Sequence, residues 1–163
     1  MSRSKLIVLL AVTGGLAAAG TAGLVPATGS AKDGNSFQLF NHDTSQGFAD
    51  LGEPGPSVAD QYVFGGDISE RQGGARIGRI AGQCATSSDR EALCQSAFTL
   101  PDGQITFSAI IDTATFFGGQ PADFAITGGT GRYRNARGVL TGRILPDPPG
   151  GTDAVFTVRL NGQ

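Results

Sequence analysis

Asp102-Gly103-Gln104-Ile105-Thr106-Phe107-Ser108-Ala109-Ile110-Ile111-Asp112 is the stretch that decides the fold. Ile105, Phe107, Ala109 and Ile111 alternate with Thr106, Ser108 and Asp112, and a period of two marks a strand with one dry and one wetter face. Ala154, Phe156, Val158 and Leu160 repeat the pattern against Thr157 and Arg159. Outward from these two segments, short runs of strand character recur between turn signals. The expected strands are Ser36 to His42, Gln61 to Asp67, Ala75 to Ser87, Glu91 to Leu100, Gln104 to Asp112, Ala122 to Thr127, Gly138 to Leu145 and Ala154 to Leu160. Pro54-Gly55-Pro56, Gly73-Gly74, Pro101-Asp102-Gly103, Gly118-Gly119, Gly128-Gly129 and Pro148-Pro149-Gly150-Gly151 supply the fixed or positive φ that chain reversals need. After residue 31 no segment sustains helical spacing for three turns. The domain is therefore all-β. Eight meandering strands with no helix to cover an edge close most economically into an antiparallel β-barrel, with a sandwich as the alternative.

Composition fits one such domain. Of 163 residues 26 are glycine, about 16% and roughly twice the usual share, whereas the 8 prolines are ordinary. With 39% apolar residues a core can form, and no 20 to 50 residue repeat is visible. Met1 to Ala31 opens with Arg3 and Lys5, continues through apolar Leu6 to Val12, and exits through Ala27-Thr28-Gly29-Ser30-Ala31, the pattern of a secretory signal peptide. Val25-Pro26-Ala27 is a competing cleavage site, and an uncleaved anchor over Leu6 to Val25 is the alternative, weakened by its glycines. Cleavage after Ala31 leaves a domain over residues 32–163, expected to be extracellular and without a membrane partner. It removes two basic and no acidic side chains, so 10 basic and 14 acidic ones remain, a net charge near −4. Lys32 is then the one lysine left, which argues against a nucleic-acid partner.

Cys84 and Cys94 fall on consecutive expected strands joined by Ser87-Ser88-Asp89-Arg90. In a secreted chain two cysteines are expected to pair as a disulfide, and the alternative is a free, ligand-facing thiol. Three further stretches are more specific than general patterning. They are Ala75-Arg76-Ile77-Gly78-Arg79-Ile80-Ala81-Gly82-Gln83-Cys84, Asp102-Gly103-Gln104-Ile105-Thr106, and Phe124-Ala125-Ile126-Thr127-Gly128-Gly129-Thr130-Gly131-Arg132-Tyr133 running on to Ala136-Arg137-Gly138. In this order they resemble the allene oxide cyclase and dirigent barrel superfamily, over roughly Phe37 to Leu160, and are also similar to bacterial barrels that act as spirotetronate-forming cyclases.

The resemblance implies an eight-stranded antiparallel barrel, often a homotrimer, whose apolar cavity folds a small hydrophobic molecule for cyclisation or steers a radical coupling. Confinement of one conformer supplies most of such an effect, so no catalytic triad is required. Residue by residue, the family's cavity cysteine falls at Cys84 and its first-strand asparagine at Asn41. Its glutamate falls at Leu39 and its second-strand asparagine near Gly66. The aspartate pair of dirigent proteins meets Gly65-Gly66 followed by Asp67, and their arginine meets Arg137. The candidate catalytic residues are thus Asn41, Asp67 and Arg137, and the candidate ligand contacts are Asn41, Asp67 and Cys84. A non-catalytic barrel that carries an apolar ligand is the competing expectation.

Neither a metal nor another cofactor is expected. Gly128-Gly129-Thr130-Gly131 lacks the Lys-Ser/Thr of a phosphate loop and reads as a tight strand connection. His42 is the single histidine, too little for a metal site, and no Gly-x-Ser-x-Gly elbow accompanies it.

Overall fold

The computed structural model describes residues 35–146 and 153–161. The expected signal segment and the turn at Pro148 to Gly151 lie outside the described residues. Eight strands follow in order: β1 (Ser36–Ala49), β2 (Gln61–Ser69), β3 (Arg76–Thr86), β4 (Glu91–Leu100), β5 (Gly103–Asp112), β6 (Ala122–Gly129), β7 (Gly138–Ile144) and β8 (Ala154–Leu160). They form a closed barrel in sequence order, every neighbouring pair antiparallel. Ser36 to Asn41 of β1 pair with Arg159 to Ala154 of β8, and that seam closes the barrel. The barrel expectation holds and the sandwich does not.

Parity sends alternate residues inward. Leu39 and Asn41 on β1, Gly66 and Ile68 on β2, Ile80 and Cys84 on β3, and Ala92, Cys94 and Phe98 on β4 are buried, while their neighbours are mostly wetter. One half of the interior is filled. Phe98, Ile68, Ile105, Leu140 and Val158 are each under 2% exposed, and the Phe98 ring sits 4.8 Å from that of Phe107 and 5.3 Å from that of Phe156. The connection after β6 completes this half. A short 3-10 turn, Gly131–Tyr133, leads to the fully buried Ala136, whose N–H donates to the Tyr133 carbonyl. Gly131 takes φ 57°, and a Cβ there would lie 2.3 Å from the Asp102 carbonyl oxygen. The glycine-rich stretch is the tight connection expected, docked on the β4–β5 turn by Arg132 N–H to Asp102 O at 2.8 Å.

Two elements differ from the sequence expectation. β1 runs seven residues beyond His42 to Ala49, pairing there with β2 alone and carrying a register irregularity between Asp43 and Ser45. Its polar run alternates on a two-stranded arm that water reaches, so it shows no apolar signature. A five-residue helix α1 (Thr113–Phe117) follows β5, started by Asp112, whose side chain accepts from the Thr115 N–H. Among the described residues no helix is long and apolar enough to cross a membrane.

Candidate functional site

The other half of the barrel is not filled. It holds a cavity of about 50 Å³ with an open mouth. Its wall is aromatic: Tyr62 and Phe64 from β2, Phe107 from β5, Phe116 and Phe117 from α1, Phe124 from β6 and Phe156 from β8. The rings form a continuous chain. Tyr62 stacks on Phe64 at 5.8 Å and meets Phe117 edge-on at 6.2 Å; Phe116 then touches Phe117 at 5.6 Å and Phe124 at 5.8 Å, and Phe124 reaches Phe107 at 5.8 Å. Edge-to-face geometry at these separations is favourable beyond area burial alone. Ile80, Ile144 and Ala154 complete the apolar wall.

Glycines make the room. A Cβ on Gly82 would fall 2.5 Å from Phe64 Cζ and 2.2 Å from Ser96 Oγ, and one on Gly142 would press on the rings of Phe156 and Phe124 at 3.0 to 3.2 Å. Phe64 can therefore lie flat across β3 only because position 82 carries no side chain.

Cys84 and Cys94 stand directly opposite each other on β3 and β4 and are joined as a disulfide, both lining the cavity. Both sequence expectations about Cys84 meet here. It occupies the cavity wall, and it does so as half of a cystine rather than as a thiol.

Besides Tyr62, the polar side chains that reach the cavity among the described residues are Asn41, Asp43 and Ser96. Asn41 is 5% exposed. Its Nδ2 donates to Asp43 Oδ1, which fixes the amide orientation, since an amide oxygen would not face a carboxylate. Its Oδ1 is buried without a partner among the described residues, and an unmet buried acceptor costs about 1–3 kcal/mol. Gly66 permits this placement, because a Cβ there would lie 2.1 Å from that oxygen. The position where the family carries a second asparagine thus holds space for the first. Asp43 accepts a second bond at its other oxygen from Gln46 Nε2 at 2.8 Å.

The remaining candidates lie elsewhere. Asp67 follows Gly66 by one residue, so parity turns it outward, where it pairs with Arg76 at 3.3 Å. Arg137 is exposed beyond the buried Ala136 and donates to the carbonyl of that residue at 2.7 Å. Neither lines the cavity. His42 is on the outer face of β1, its Nδ1 2.8 Å from Asp153 Oδ1, and this hydrogen bond raises its pKa above 6.5. Asp112 is held down to about pKa 2 by Thr115, through hydroxyl and backbone N–H, and by Arg90. It anchors α1 and with it Phe116 and Phe117. Sequence reasoning did not single out Asp43 or that pair of rings. The available signals were an acid two residues beyond Asn41, hence on the same face, and adjacent phenylalanines directly after a strand ending in a helix-capping aspartate.

Comparison with known proteins agrees with this architecture. The family model described as Allene oxide cyclase barrel like domain matches residues 37–155. Among solved structures, one described as pyocyanin demethylase superposes with a TM-score of 0.66 at 26% identity, covering 77% of this chain and 99% of that one. The Diels Alderase AbmU from Streptomyces koyangensis gives 0.63 at 21% identity, with 77% of this chain and 63% of that one covered. The pterocarpan synthase dirigent protein GePTS1 gives 0.61 at 15%, with 77% and 85% covered. A search of curated proteins finds no match.

Proposed function

The chain belongs to the allene oxide cyclase barrel-like family, and from that premise we propose that it binds a small hydrophobic molecule in the aromatic half of its barrel and guides its cyclisation or stereoselective coupling. The observation that carries this reading is the unbroken series of rings around an unfilled cavity, from Tyr62 at the rim to Phe107. Such a wall holds a flexible or planar molecule in few conformations while excluding water, and restriction of conformers is the main requirement of a unimolecular ring closure. Asn41 and Cys84 are the proposed ligand contacts, with Asn41 as the polar group nearest a reacting centre. The structural relatives support the class, since their names describe a demethylase of pyocyanin, a Diels Alderase and a pterocarpan synthase.

A non-catalytic binding barrel is the second reading, favoured by one observation. The family's cavity cysteine is here tied up in a disulfide, which leaves the site without an ionisable thiol.

We further propose secretion by way of Met1 to Ala31 and assembly into a homotrimer. Leu93 and Ile110, directly opposite each other on the outer wall and 43% and 66% exposed, supply an apolar surface for contact. Native mass spectrometry of the protein recovered from medium carrying its producer's metabolites tests these points together. The expected result is a shortened chain, two linked sulfurs, three subunits and a retained small molecule whose precursor the protein then cyclises. A ligand retained without any turnover of its precursor selects the binding reading. A chain that captures no small molecule overturns both.

A further inference from the structure

We propose that this cavity takes π-rich molecules that are neutral or cationic, and that it rejects carboxylates and other anions of the same size. The inference rests on the reading of the barrel as a small-ligand binder and narrows its ligand class.

The charge of the wall is one-sided. Among the described residues Asp43 is the one charged side chain lining the cavity, and no lysine, arginine or histidine accompanies it there. Both its oxygens are met by neutral amides, from Asn41 and from Gln46, so its negative charge is solvated but not cancelled. His42, its neighbour in sequence, is turned to the outer face and engaged by Asp153. A ligand carboxylate would therefore enter the cavity against a fixed like charge, with no cation among the described residues to receive it. Ring faces add to the bias, because their quadrupoles present negative density to whatever lies above them and so favour positive charge.

Asn41 gives one amide hydrogen to Asp43 and keeps a second, while its Oδ1 is packed out of reach beside Gly66. It therefore sets no polarity for a hydrogen bond from the ligand, and selection falls to charge.

The test is a matched set of bicyclic probes titrated by calorimetry: naphthalene, 2-naphthol, 2-naphthylmethylammonium and 2-naphthoate. Expected is at least tenfold tighter binding of the naphthol and the ammonium than of the naphthoate. Asp43→Asn should bring naphthoate to within about threefold of naphthol. Circular dichroism of the variant confirms an intact barrel. If naphthoate binds as well as naphthol, or if Asp43→Asn leaves their ratio unchanged, the inference is overturned while the cavity remains a binding site. If even naphthalene does not bind, the apolar-cavity reading falls and this inference falls with it.

Discussion

The two halves of the barrel are built from the same alternating strands yet solve opposite problems. Around Phe98, inward positions carry Ile68, Ile105, Leu140 and Val158, and the interior is filled to the exclusion of solvent. Around Phe64, inward positions include Gly66, Gly82 and Gly142, and seven rings stand around space instead of filling it. The difference teaches that in a small barrel a cavity is made by leaving side chains out. The filled half supplies the burial that stabilises the fold, and the other half is free to be shaped for a ligand.

The widest expected contrast is in stability. Phe98→Ala should cost about 3–5 kcal/mol, as deletion of a buried aromatic does, whereas Phe117→Ala, at a ring 46% exposed, should cost about 1 kcal/mol or less. Chemical denaturation measures both, and equal losses would erase the division into two halves. Next comes the staple in the cavity wall. Cys84→Ala combined with Cys94→Ala should lower stability by about 2–3 kcal/mol through loop entropy while leaving the far-ultraviolet spectrum unchanged. A smaller loss is expected from Gly82→Ala, whose methyl would collide with Ser96 Oγ and Phe64. Overpacking of this kind costs about 1–3 kcal/mol, and the displaced ring should weaken binding of naphthalene even where the fold holds.

The smallest effect is acid-dependent and local. Asp112 is favoured as a carboxylate in the fold, so its support of α1 is complete above the ordinary range near 3.8 and is lost as the pH falls through about 2. Ring resonances of Phe116 and Phe117 should shift in that window while those of Phe98 do not. Asp112→Asn should make the α1 rings indifferent to it. A shift of all rings together would mean that the halves melt as one.

The filled half was the more legible in sequence, and for a physical reason. Ile105 on β5 and Val158 on β8, with Phe107 and Phe156 next on the same faces and shared with the cavity wall, announce themselves by period two because burial there is uniform. The cavity half depends on residues whose meaning is set across strands. Asp67 stands in a Gly-Gly-Asp run that resembles a family acid pair, yet one step of parity puts it outside, while Asp43 lies inside because it shares a face with Asn41. Register, not residue type, separates the two acids. The glycines gave a strong signal for turns, which hid the fact that Gly66, Gly82 and Gly142 lie within strands and act by their lack of a side chain. α1 escaped notice because five residues cannot show a helical period.

The seam between β1 and β8 carries a kinetic consequence. Seven of the eight pairings join strands that follow one another in the chain, through connections of at most 11 residues. The eighth brings together Asn41 and Ala154, more than a hundred residues apart, both of them in the cavity wall. Closing so long a loop is the costly entropic step, and non-local pairing of this kind is slow. A refolding chain would therefore hold most of its sheet before it owns a complete wall around the rings. Capture of a fluorescent aromatic during refolding would act as a clock for barrel closure, lagging behind the growth of the β-sheet signal.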